Sequence, residues 1–205
     1  MKHYLITLSL FLFSSFTIFS QEKYKKDYTV LFVGNSLTYY NNLPKLITKY
    51  AKKHKEIHIK TKTITFPNYA IEDHWNDGKV QKLIVSQKFD FLILQQGPSS
   101  QKAGKKMLID YGKKYAELCE ANKIQLCYFM VWPSLMYYHT FEKVIENHTE
   151  AAKLNNAILL PVGKHWKEHI EENNDYSYYG PDEFHPSKKG SKKAAQIIVE
   201  TLFKK

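Results

Sequence analysis

From Tyr28 onward the chain alternates short apolar runs rich in β-branched and aromatic residues with longer stretches whose apolar positions recur at helical spacing. The runs predict five strands, at 29–33, 57–66, 89–95, 124–131 and 157–162. Phe-Asp-Phe-Leu-Ile-Leu in the third is the clearest buried segment. The amphipathic stretches predict helices at 43–54, 78–87, 102–122 and 141–155, a short one at 164–172, and a closing one at 188–203. Strand and helix in strict alternation predict βα units, hence an α/β domain in which helices cover both faces of a parallel sheet. No Pro/Gly/Ser-rich linker or repeat divides the chain, so a single domain is expected.

The N-terminus changes the picture at one end. Lys2 and His3 precede a mostly apolar run from Tyr4 to Phe19, closed by Ser20. Such a run is short for a bilayer span and reads as an export signal at residues 1–20, leaving a domain at 21–205 and a secreted or periplasmic protein without stable membrane insertion. The formal net charge is +10, and all 30 basic residues are lysine. Without the arginine fork, and with the lysines scattered along the chain, nucleic-acid binding is not expected. Cys119 and Cys127 fall on a helix and the strand after it. They read as buried small apolar groups, with a disulfide as the alternative.

In an open parallel sheet the ligand crevice lies beyond the carboxyl ends of the strands. Those ends carry Gly34-Asn35-Ser36, Pro67-Asn68, Gln95-Gln96-Gly97 and Trp132-Pro133. Ser36 follows a strand and precedes a helix, where Gly34 permits a tight turn, Asn35 tolerates unusual backbone angles, and helical N–H groups favour an oxyanion. Equally, a serine here can serve only as a helix cap. The second candidate segment is Asp182-Glu183-Phe184-His185-Pro186, in a turn-rich stretch before the last helix. A serine nucleophile needs a histidine base, and the base needs a carboxylate to orient it. Asp182 and His185 supply both from one loop.

Taken together, Gly-Asn-Ser-Leu-Thr after the first strand and Asp-x-x-His-Pro-Ser before the last helix resemble the first and last sequence blocks of the SGNH/GDSL hydrolases. Residues 68–75 resemble the second block and 90–99 the third. Leu160-Pro-Val-Gly163 with Trp166 resembles the C-terminal pattern of exported bacterial esterases of that family. The resemblance implies a three-layer α/β/α sandwich with a five-stranded parallel sheet of flavodoxin-like topology. It also implies a serine esterase without metal or organic cofactor, in which Ser36 is the nucleophile, His185 the base and Asp182 its orienting carboxylate. Oxyanion donors are then the Ser36 N–H, the backbone of Asn68 where the family has glycine, and a side-chain amide of Gln96 or Gln95 where it has asparagine, with Gln96 favoured. Asn35 stands where the family has aspartate. The implied substrate is a small-molecule or glycan ester, with O-acetyl groups on a carbohydrate first and lipid or short-chain esters second. The departures at Asn68 and Gln96 motivate a second reading, a non-catalytic glycan-binding module on the same fold.

Other polar residues compete for attention. His74, after Glu72 and Asp73, is the rival base, although packing with Trp75 accounts for it as well. His165 and His169 are four apart, as metal ligands can be, but their spacing lacks a partner set and reads as a surface pair. Tyr176, Tyr178 and Tyr179, just before the Asp182 loop, either line a substrate entrance or pack the loop onto the domain.

Overall fold

In the computed structural model, residues 26–204 are described; the export segment expected at 1–20 lies outside them. Five parallel strands form one sheet in the order β2-β1-β3-β4-β5. They are β1 (Lys26–Gly34), β2 (Ile57–Thr65), β3 (Phe91–Leu94), β4 (Gln125–Phe129) and β5 (Ile158–Leu160). The helices are α1 (Ser36–Tyr39), α2 (Leu43–Lys55), α3 (Ile71–Asn76), α4 (Lys79–Ser86), α5 (Lys102–Ala121), α6 (Phe141–Leu154), α7 (Val162–Asn173) and α8 (Lys188–Leu202). This is the doubly wound order that the βα alternation and the family resemblance implied, with the strand order reversing beside β1.

Alternation along each strand builds two cores. Val30 and Phe32 of β1, Ile93 of β3, and Cys127 and Phe129 of β4 face a core shared with Ile47 and Ala51 of α2, Trp166 of α7 and Ile198 of α8. The intervening Leu31, Val33, Leu92, Leu94, Leu126 and Tyr128 face the other core, closed by Ile71, Val80, Ile84, Leu108 and Tyr115 from α3, α4 and α5. Side chains that alternate between two buried layers explain why these strands read as continuous apolar runs. Fully burying each Leu, Ile or Phe stabilises the fold by about 1.5–3 kcal/mol.

Cys127 and Cys119 belong to these opposite cores, and both thiols are free. Burial pushes the Cys119 thiol up to about 12 and raises Cys127 further, so neither is a nucleophile at neutral pH.

The elements differ from the sequence expectation mainly at their ends. β3 and β4 are shorter than the apolar runs, and β5 stops before Pro161, which has no N–H to give a ladder. Two short helices escaped the periodicity, α1 and α3, because four and six residues are too few to show a helical period.

Candidate active site

The turn between β1 and α1 is built by packing and hydrogen bonding. Asn35 caps α1, its Oδ1 accepting from the Leu37 N–H at 3.2 Å, and its own backbone is ordinary extended (φ −128°). Gly34 is required by space: a Cβ there would lie 2.5 Å from Gln95 Oε1 and 2.6 Å from Thr38 Oγ1. Neither residue therefore owes its identity to unusual backbone angles, as the sequence had suggested. Gln95 and His74 hold the turn, and Asn35 ties it outward. The Asn35 N–H and the Thr38 hydroxyl both donate to Gln95 Oε1 at 2.8 Å. His74 Nε2 lies 2.8 Å from the Gly34 carbonyl, an acceptor, so this nitrogen carries the proton. Asn35 Nδ2 donates to Tyr69 O at 3.0 Å, tying the turn to the loop after β2.

On this platform Ser36 opens α1 and meets the loop before α8. His185 Nε2 is 2.8 Å from Ser36 Oγ, and His185 Nδ1 is 2.6 Å from Asp182 Oδ2. The other carboxylate oxygen, Oδ1, accepts from the N–H groups of Phe184 at 3.1 Å and His185 at 2.9 Å. Partial burial works to raise the Asp182 pKa, but these donors outweigh it and hold the carboxyl below its usual range. An ionised Asp182 fixes the tautomer with Nδ1–H toward itself, leaving Nε2 free to take the serine proton. The imidazole is held from its face by Tyr40, whose ring centroid lies 4.6 Å away at 19°.

The loop that delivers this pair is pinned at several points. Trp132 Nε1 donates to Phe184 O at 2.9 Å, and Asn41 Nδ2 donates to Pro186 O at 2.8 Å. The Gly180 N–H donates to His185 O at 2.7 Å, and the Tyr179 hydroxyl to Pro133 O at 2.8 Å. Of the tyrosines before the loop, Tyr178 and Tyr179 are core residues against Trp166, which favours the packing reading for them; only Tyr176 is exposed.

Asn68 adopts φ +60°, the left-handed conformation anticipated for a residue standing in place of glycine. It lines a cavity of about 350 Å³ together with Ser36, Gln96, Gly97 and Ser99. The backbone N–H groups of Ser36 and Asn68 have no partner among the described residues. The glutamines behave differently from the expectation. Gln96 lines the cavity, but its Nε2 donates to Ser99 Oγ at 2.9 Å and Gly104 O at 3.2 Å, while its Oε1 accepts from Ile71 N–H. The Ser99 hydroxyl is itself spent on Gly97 O, so a flipped amide would set its oxygen against the Ser99 and Gly104 oxygens and its NH2 against the Ile71 N–H. Both amide hydrogens are thus committed away from Ser36. Gln95 is fully buried beneath the turn and contributes its oxygen there, not a donor to the cavity. Sequence reasoning missed Ser99 and Phe184 as lining residues, since neither is reactive and only the loop path brings them beside Ser36.

The rival histidines are otherwise engaged. His74 is buried against Phe66 and Tyr69, and burial pushes its pKa down. His165 lies 3.2 Å from a Glu168 oxygen and His169 2.9 Å from Asp175. A larger cleft of about 660 Å³ borders the Ser36 cavity, sharing Pro98 and Phe184 with it and adding Tyr137, His139 and Pro133.

Asn35 offers a test of this platform. In Asn35→Asp the donor to Tyr69 O becomes a carboxylate oxygen facing a carbonyl, while the cap on α1 survives. Losing that bond and leaving the carbonyl unpaired costs about 1–3 kcal/mol. The melting temperature and the reactivity of Ser36 should both fall. An unchanged melting curve would mean that the Asn35–Tyr69 bond carries no weight.

No family model matches the sequence, and no curated protein does. Solved structures do. A protein described as an SGNH hydrolase from Slackia heliotrinireducens superposes with a TM-score of 0.75 at 19% identity, covering 86% of this chain and 100% of its own. A GDSL-like lipase from Parabacteroides merdae gives 0.67 at 13% identity, with 88% and 97% covered. A catalytic mutant of an acetylxylan esterase from Geobacillus stearothermophilus gives 0.65 at 12%, with 85% and 94% covered. At these identities the likeness concerns architecture, and it extends over nearly the whole length of each partner. The chain therefore has the fold of the SGNH/GDSL hydrolases.

Proposed function

We propose that this protein is an exported serine esterase that hydrolyses short-chain carboxylic esters, with O-acetylated glycans as the substrate class. The observation that carries the reading is the unbroken series Asp182–His185–Ser36, with contacts of 2.6 and 2.8 Å. In the first step Ser36 Oγ attacks the ester carbonyl while its proton passes to His185 Nε2, and Asp182 stabilises the imidazolium. The negative charge on the carbonyl oxygen is met by the N–H groups of Ser36 and Asn68, which are free to receive it. His185 then returns the proton to the leaving alkoxide, and a water activated by the same histidine releases the acid from the acyl-enzyme. No step calls on a metal or organic cofactor. Gln95 and Gln96 serve here as supports for the turn and for the 97–99 loop.

The size of the Ser36 cavity supports a short acyl group, and the adjoining cleft, with Tyr137, His139 and Phe184, supplies ring faces and polar atoms for a sugar alcohol. Export rests on the residues 1–20 pattern alone.

The test joins a fluorophosphonate probe, which traps activated serines, to a panel of nitrophenyl acetate, butyrate and octanoate, acetylated xylan, and a lipid ester. A single label at Ser36 is expected, with acetate turned over faster than octanoate and acetyl groups released from xylan. Absence of both labelling and turnover would favour the non-catalytic glycan-binding reading. Preference for octanoate or lipid would transfer the assignment to a lipid esterase.

A further inference from the structure

A second concavity, of about 510 Å³, runs between α2 and α8 and shares no residue with the Ser36 cavity. Its walls carry Lys49 and Lys53 from α2 and Lys189, Lys192 and Lys193 from α8, and among the described residues no carboxylate lines it. Its floor is apolar and aromatic, made by Leu46, Tyr50, Tyr178 and Ala195. The Tyr50 ring stacks on His54 at 4.3 Å, and Lys189 sits 5.4 Å over the Tyr178 ring.

The charge in this groove is compensated only in part, by Asp175 at Lys189 and by Glu200 near Lys193. Lys189 is paired with Asp175 at 2.8 Å. Lys49, Lys53 and Lys192 have no ion pair or hydrogen bond among the described residues. Lys49 with Lys53, and Lys189 with Lys193, are like charges four apart on a helix, an arrangement that weakens a helix slightly. Folding does not explain this clustering, and a bound polyanion would.

Position links the groove to the proposed active site. Asn41, just before α2, donates to Pro186 O and Ser191 Oγ beside the start of α8, and farther along Tyr50 donates to Glu200. The two helices thus run side by side in one direction, from the edge that holds Ser36 and His185 toward the opposite end of the domain. The 13 residues of α2 give a track of about 20 Å.

We propose that this groove binds a polyanionic glycan, so that a polysaccharide bearing carboxylate groups is held along α2 and α8 while an ester on it is presented to Ser36. Sugar rings pack their C–H faces on tyrosine, and lysines offer point charges to anions spaced along a flexible chain. The chemistry disfavours other polyanions. Nucleic-acid recognition draws on arginine, which the chain lacks entirely. Membrane docking draws on exposed apolar anchors, and among the described residues the large exposed apolar ones, such as Val85, Met136 and Leu154, all lie outside the groove. That the same polymer is also the substrate rests on the esterase reading; binding in the groove does not.

The experiment measures binding of unesterified polygalacturonate, which requires no catalysis, at low and high salt, with neutral xylan, phosphatidylglycerol vesicles and single-stranded DNA as the other arms. The variant is K49Q/K53Q/K192Q. Glutamine keeps the helix propensity of lysine, and the loss of like-charge repulsion leaves the melting temperature equal or higher. Wild-type protein should bind polygalacturonate in a salt-sensitive way, the variant about tenfold more weakly, and neither should gain affinity from xylan. Equal affinity of the two proteins, no binding by wild type, or tighter wild-type binding to vesicles or DNA would overturn the proposal. Nitrophenyl acetate turnover by the variant should match wild type. If turnover is absent in both while polygalacturonate binding still differs, the esterase reading has failed and the groove stands.

Discussion

Ser36→Ala is expected to abolish fluorophosphonate labelling and to reduce ester hydrolysis by about four to six orders of magnitude, because it removes the attacking atom of the proposed mechanism. His185→Ala should cost nearly as much, since Ser36 Oγ has no other base within reach among the described residues; His74, the alternative, has its Nε2 on the Gly34 carbonyl. The two single variants and the double variant should therefore fall to a similar floor, as groups acting as a unit do. Asp182→Asn should be milder, because the amide retains the loop bonds to the Phe184 and His185 N–H groups but no longer stabilises an imidazolium. None of these changes removes a core contact, so melting temperatures should move little. His185→Ala with substantial kcat, or His74→Ala with none, would exchange the two histidines and dismantle the proposed mechanism.

Acidification is expected to destabilise the fold between about pH 6.5 and 4, with His148 as the main cause. This residue is fully buried in α6, its Nδ1 is 2.8 Å from the Val144 carbonyl, and its Nε2 has no partner. Burial pushes its pKa down to about 4. The folded value thus lies below the unfolded one. Above about pH 6.5 the imidazole is neutral in both states and contributes nothing to the pH dependence. As pH falls the unfolded chain takes up a proton that the folded chain refuses, and stability declines by up to about 1.4 kcal/mol per pH unit. By the folded pKa the accumulated loss is about 3 kcal/mol, a large share of a typical domain's stability. His74, lowered in the same direction by burial, adds to the loss. Urea denaturation at a series of pH values should show this acid limb, and His148→Leu should flatten it whatever its effect at pH 8. An acid limb of equal steepness in that variant would place the titrating group elsewhere.

Much of the architecture was legible because the strands are buried on both faces. Residues 91–94 had to be apolar throughout to serve two cores, and the helices between strands are long enough to show their period. That Ser36, Asp182 and His185 meet was legible for a different reason. Each occupies a turn whose neighbours signal it, Gly34 and Asn35 on one side and Pro181 and Pro186 on the other, and the βα pattern already brings strand ends to one edge. Asn68 was legible as well, because its positive φ is a property of a single residue's backbone.

What remained for the tertiary structure were choices made by partners distant in sequence. Whether Gln96 donates into the cavity depends on Ser99 and Gly104, which take both of its amide hydrogens, and no local pattern encodes that competition. The reason for Gly34 lies 61 residues away, in the oxygen of Gln95 that occupies the space a side chain would need. The fate of Cys119 and Cys127 followed from the sheet standing between their two cores. Lysines that look scattered along the chain converge in one groove because α2 and α8 pack side by side. The sequence by itself determined which residues can do chemistry and which edge they occupy, since both are set by local backbone and by alternation. Only the tertiary structure decided which hydrogen bonds those residues make, because a donor has a fixed number of hydrogens and the fold sets which acceptors come within reach.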